Sequence, residues 1–115
     1  MVQDLQFTFI IPFYDDTDSL LKCLQSINSL KYDQDKYDVL IIDDGSPASS
    51  KGIIDKIIDQ NKNNSLIRTE RYGASHARNL GIKLSHGSII VILDQDVVIN
   101  SNLLNVYSND FEDET

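Results

Sequence analysis

Cysteine occurs only once in the 115 residues, at Cys23. No internal disulfide can form, and a reducing compartment is expected. Cys23 sits among apolar helix positions, so a buried structural thiol is expected rather than a nucleophile. Basic side chains are scarce, 10 against 18 acidic ones, for a net charge of −8. Such a field argues against nucleic acid or an anionic membrane as partner. It would also repel a phosphate ligand unless a divalent cation came with it. No apolar run approaches the ~20 residues of a membrane span, so none is expected in this chain. Met1-Val2-Gln3-Asp4 lacks the basic segment that opens a signal peptide. A cytoplasmic location is expected, the inner face of a membrane included. No G-x-G-x-x-G follows the first apolar run, which argues against a dinucleotide-dependent dehydrogenase. Repeats, low-complexity tracts and linkers are also missing. One domain over 1–109 is expected, with the acidic segment 110–115 frayed.

What the chain does have is short apolar runs that end in carboxylates. Ser88-Ile89-Ile90-Val91-Ile92-Leu93 runs straight into Asp94-Gln95-Asp96. It reads as a strand buried on both faces, as in a parallel sheet. Tyr37-Asp38-Val39-Leu40-Ile41-Ile42 ends likewise in Asp43-Asp44-Gly45-Ser46. Phe7-Thr8-Phe9-Ile10-Ile11 is a third such run, stopped by Pro12, which has no N–H for a ladder. Leu66-Ile67-Arg68 is a short fourth.

Helical spacing fills the gaps. Leu20, Leu21, Leu24, Ile27 and Leu30 form one apolar face, capped by Asp16 or Thr17. Ile53, Ile54, Ile57 and Ile58 form another, with Ser49 or Ser50 as cap. From Ala74 to Leu84 a helix presents the small residues Ala74, Ala77 and Gly81. A glycine inside a helix costs about 1 kcal/mol against alanine, which points to a packing reason at Gly81. A last short helix is expected around Leu103, Leu104 and Tyr107. The order βαβαβαβα predicts a Rossmann-like three-layer α/β/α sandwich with a mainly parallel sheet. Ligands of such sheets bind at the carboxyl edge of the strands. Pro12 to Asp16, Asp43 to Ser46, and Asp94 to Asp96 should therefore gather there. Asp94 and Asp96 are hard oxygen ligands suited to Mg2+ or Mn2+ carrying a phosphate.

Four segments then become recognisable together: Phe9-Ile10-Ile11-Pro12-Phe13-Tyr14-Asp15, Ile41-Ile42-Asp43-Asp44-Gly45-Ser46, Gly73-Ala74-Ser75-His76-Ala77-Arg78-Asn79-Leu80-Gly81-Ile82 and Leu93-Asp94-Gln95-Asp96. In this order and spacing the chain resembles the N-terminal half of a family 2 glycosyltransferase with the GT-A fold, from about Phe7 to Leu104. The resemblance implies a metal-dependent transfer, with inversion, from a nucleotide-sugar donor, expected to be a UDP-sugar, to an acceptor hydroxyl on a glycan or lipid-linked molecule. It implies that Pro12, Tyr14 and Asp15 line the nucleoside pocket. It also implies that Asp44 bonds the base imide, that Arg78 lies near the phosphates and Asp94 near the ribose or sugar, and that Asp96 is the metal ligand, with Asp94 beside it. The cofactor so implied is Mn2+ or Mg2+. Bacterial cell-surface polysaccharide synthesis is the setting that the resemblance implies.

Two residues depart from the family pattern. Arg71 stands where Asn is common, and Gln95 where Ser, Ala or Asp is usual. The family's general-base carboxylate normally follows the D-x-D motif by tens of residues. Only 19 residues follow Asp96 here, so no base is assigned. Three readings compete: the transferase, a non-catalytic nucleotide-binding module or truncated fragment, and a phosphatase of haloacid-dehalogenase type. The last would use Asp94 of Leu93-Asp94-Gln95-Asp96-Val97-Val98 as nucleophile. That motif normally opens its domain, and here it closes one. Bland readings stand beside the sharp ones. Asp43-Asp44-Gly45-Ser46 is also good turn chemistry, Arg78 could pair with a surface acid, and Tyr14 could be a packed aromatic.

Overall fold

In a computed structural model describing residues 6–106, the apolar runs become four parallel strands. They are β1 (Phe7–Phe13), β2 (Tyr37–Asp44), β3 (Asn64–Thr69) and β4 (Ile89–Ile92). Helices α1 (Thr17–Asn28), α2 (Ala48–Ile58) and α3 (Ala74–Leu84) connect them in turn. The sheet order is β3-β2-β1-β4. β1 is thus central, with Phe7 opposite Tyr37 on one side and opposite Ile89 on the other.

Side chains alternate across the sheet, so each face builds its own core. Phe7, Phe9, Ile11 and Phe13 of β1 join Val39 and Ile41 of β2 on one face. Leu20, Cys23, Leu24 and Ile27 of α1 and Ile54, Ile57 and Ile58 of α2 cover them. On the opposite face Ile10, Leu40 and Ile42 meet Ala77 of α3. This is the expected three-layer α/β/α arrangement. Gly81 explains itself here: a Cβ at this position would run into Cγ2 of Ile10. The helix lies directly on the central strand, and only a residue without a side chain lets it.

Several expectations change. β1 does not stop at Pro12 but continues to Phe13, with Pro12 opposite Ile42. Leu93 donates its N–H to the carbonyl of Ile10, so even-numbered residues of β1 bond toward β4. The ladder with β4 ends at the Ile10–Ile92 pair, so the N–H that Pro12 lacks has no ladder acceptor to reach. β4 is not buried on both faces. Among the described residues it is a rim strand, as is β3; α3 sits over β1 and β2, and Ile90 and Ile92 are 37% and 39% exposed. Ile53 is exposed rather than part of the buried face of α2, and Ala74 is exposed on α3. Leu30 is buried, but it lies beyond the end of α1.

Asp16 does cap α1, accepting from the Ser19 N–H at 3.1 Å. Neither Ser49 nor Ser50 caps α2: Pro47 occupies the cap position without a side-chain bond. The Ser50 hydroxyl goes instead to the carboxylate of Asp15. Residues 103–106 are helical, as expected around Leu103 and Leu104. Tyr107 and the acidic segment 110–115 lie outside the described residues. No helix among the described residues is long and apolar enough to cross a membrane.

Candidate functional site

All four strands deliver a loop to the same edge of the sheet, because parallel strands end together. The loop after β1 carries Tyr14 and Asp15, and the loop after β2 carries Gly45 and Ser46. Arg71 to Gly73 follow β3, and Asp94 to Asp96 follow β4. These loops are bonded to one another. Asp15 N–H donates to Ser46 Oγ at 2.8 Å, and its carboxylate accepts from Ser50. Asp15 needs that support, since its φ of 57° is the left-handed region that L side chains enter at a cost.

Asp44 is almost fully buried, at 4% exposure, although its side chain is polar. Its carboxylate accepts from Tyr72 N–H at 2.9 Å and from Gly73 N–H at 3.1 and 3.2 Å. It therefore fixes the loop that leads into α3. Gly45 fits the same contact. With φ at +79°, a Cβ there would lie 2.7 Å from the Arg71 nitrogen. Asp43 braces its own turn by accepting from Ser46 N–H at 3.0 Å. Its other oxygen makes no hydrogen bond and faces Arg68 Nε at 3.6 Å.

Tyr14 is the point where the loops meet. Its N–H donates to Gln95 Oε1 at 2.8 Å, across 81 residues of sequence. The guanidinium carbon of Arg71 lies 3.3 Å from the centre of its ring. Gln95 is flanked by Asp94 and Asp96, both exposed. Among the described residues neither of their carboxylates accepts a hydrogen bond or forms an ion pair. No third His, Cys, Asp or Glu among the described residues joins them as a metal cluster. Two free oxygen ligands on an open loop fit Mg2+ or Mn2+, which keep several waters and share their remaining positions with substrate phosphates.

Arg78 lies in the second turn of α3, donates to Ser75 Oγ at 3.1 Å and has no acidic partner among the described residues. Its fork remains available to an anion. Pro12 is half-buried, next to the last residue of β1. His76 stacks at a tilt on Tyr72, with ring centres 4.8 Å apart, on the same side as the loops. His86 lines a polar cleft of about 350 Å³ at the opposite edge and has no part in this site. Cys23 is buried beneath the site. Burial, and then the nearby Asp96 carboxylate, push its thiol up to about 11. That is an inert structural thiol at neutral pH. Arg71 had no assigned role in the sequence, Ser46 was expected only to gather at this edge, and Ser50 was expected as a helix cap. What sequence shows of Arg71 is its departure from the family pattern, a signal without a partner until the loops are folded.

Comparison with known proteins decides the lineage. The model of the family described as Glycosyl transferase family 2 matches residues 8–115. The chain belongs to that family. Glycosyltransferase AglE of Haloferax volcanii is 38% identical over 98 residues, which are 84% of this chain and 32% of the relative. Among solved structures, the mannosyltransferase PcManGT of Pyrobaculum calidifontis, in complex with GDP-Man and Mn2+, aligns with a TM-score of 0.82 at 25% identity. That alignment covers 92% of this chain and 32% of that one. S. aureus TarS 1–349 in complex with UDP-GlcNAc aligns with a TM-score of 0.83 at 23% identity, covering 95% of this chain and 32% of that one. That likeness shows the fold, the GT-A type expected from the sequence. The chain spans about a third of the length of the curated relatives it matches.

Proposed function

We propose that this chain is the donor-binding part of a family 2 glycosyltransferase, acting on a nucleotide-activated sugar, by preference a UDP-sugar. The observation that carries this is the pair of free, exposed carboxylates of Asp94 and Asp96, set on either side of Gln95, whose amide holds the Tyr14 loop. One side of the edge then suits a metal-bound diphosphate and the adjoining side a nucleoside. The relatives named above include proteins solved with GDP-Man and Mn2+ and with UDP-GlcNAc, which supports a nucleotide-sugar ligand here.

In this reading Asp96 is the principal ligand of a divalent ion and Asp94 lies near it and the ribose. When bound, the ion neutralises the diphosphate as it leaves. Arg78 offers a planar fork to phosphate oxygens. Pro12, Tyr14 and Asp15 line the nucleoside side. Asp44 retains acceptor capacity for a base N–H, since each carboxylate oxygen has two lone pairs. Transfer is a direct displacement with inversion, in which a general base deprotonates the acceptor hydroxyl. That base and the acceptor, a glycan or lipid-linked molecule, lie outside the residues assigned here. The test is calorimetric titration of the chain with UDP, with and without Mn2+, repeated on Asp96→Ala. Metal-dependent binding that is lost in the variant is expected. Absence of binding to UDP, GDP and dTDP under both conditions would leave the family as ancestry only.

A further inference from the structure

We propose that Arg71 and Gln95 are positioning residues that hold Tyr14 as a preset platform for the nucleobase of the donor, a proposal that rests on the donor-site reading above. Both residues depart from the family pattern, and in the folded chain both converge on the same residue. Gln95 Oε1 accepts the Tyr14 N–H at 2.8 Å, and the Arg71 guanidinium covers one face of the Tyr14 ring at 3.3 Å. Asn has no cation to stack, Ala has no acceptor, and Ser and Asp carry one only on a shorter side chain than Gln.

The clamp is anchored on both sides. Arg71 is held by its backbone, since its nitrogen packs against Gly45 and the next two N–H groups donate to Asp44. Tyr14 is held by Gln95 on its N–H, while its carbonyl accepts from Asp16 N–H at 2.6 Å. The ring itself is left partly open. Tyr14 is half-buried, and among the described residues no other ring or cation touches it and its hydroxyl makes no hydrogen bond. A planar base can stack on a ring whose position is already fixed, so less freedom is lost on binding. The cation on one face also restrains rotation of the ring.

A second role for Arg71, direct contact with the diphosphate, gives a different signature, and uridine separates the two because it has a base and no phosphate. NMR titration of the 115-residue chain with uridine, and with UDP plus Mn2+, is run on wild type, Arg71→Ala, Tyr14→Ala and the double variant. Arg71→Ala is expected to weaken uridine and UDP by the same factor, about two- to fivefold. In the Tyr14→Ala background it should add nothing. In the ligand-free chain, Gln95→Leu should speed hydrogen exchange at the Tyr14 amide, and Gln95→Glu, which keeps an acceptor oxygen, should preserve its protection. Loss confined to UDP, additive losses in the double variant, unchanged affinities, or equal Tyr14 exchange in Gln95→Leu and Gln95→Glu would each overturn the proposal. A wild-type chain that binds neither uridine nor UDP overturns the donor-site reading and this proposal with it. Variant results on a binding wild type bear on the clamp alone.

Discussion

Asp44 and Cys23 show how differently one residue can sit at the same edge. The carboxyl group of Asp44 can be buried because three hydrogen bonds from two backbone N–H groups replace its water. Cys23 is buried with no such help, and its thiol ionises only at about 11 against an ordinary 9.0. A raised pKa in the folded state means that the unfolded chain gives up this proton first. The contribution is therefore fully present below pH 9.0 and is lost as pH rises toward 11. Urea unfolding between these values should show stability falling with pH, with a shallower slope in Cys23→Ala. Native Cys23 should also resist thiol reagents at pH 8 and react once the chain is unfolded.

At the scale of the element, α3 and β4 respond in opposite ways to substitution. Gly81→Ala would raise helix propensity by about 1 kcal/mol. The new Cβ meets Ile10 on the central strand, and overpacking of that kind costs about 1–3 kcal/mol. Net destabilisation is expected, read as a lower urea midpoint. β4 is tolerant because it is a rim. Ile92→Lys places a charge on a side chain already 39% exposed, so a change within about 0.5 kcal/mol is expected by the same assay. Ile10→Ala, one strand inward and fully buried, should cost about 2–5 kcal/mol. If Ile92→Lys cost as much as Ile10→Ala, β4 would not be an open edge in solution.

Across the whole molecule, stability should be graded from the centre of the sheet outward. β1 is paired on both sides and covered on both faces, and β2 shares its cores, while β3 and β4 are rims. Native-state hydrogen exchange should find the slowest amides in β1 and β2 and the fastest strand amides in β4. The net charge of −8 acts at this scale too. It would make an anionic donor dependent on local positive charge, from Arg78 and the proposed ion, against the general field.

The sequence by itself determined the parallel α/β class, a cap for α1 at Asp16 or Thr17, the buried thiol and the gathering of three loops at one edge. Each of these follows from local pattern: apolar period, carboxylates at run ends, and the rule that parallel strands finish on the same side. Only the tertiary structure decided that β4 is a rim, that Pro12 lies inside a strand and that Ser50 serves Asp15 rather than α2. It alone brought Gln95 and Arg71 onto Tyr14. Strand order is a long-range choice that local periodicity does not encode, and the contact between Tyr14 and Gln95 spans 81 residues. Such contacts exist only once the sheet has chosen its neighbours.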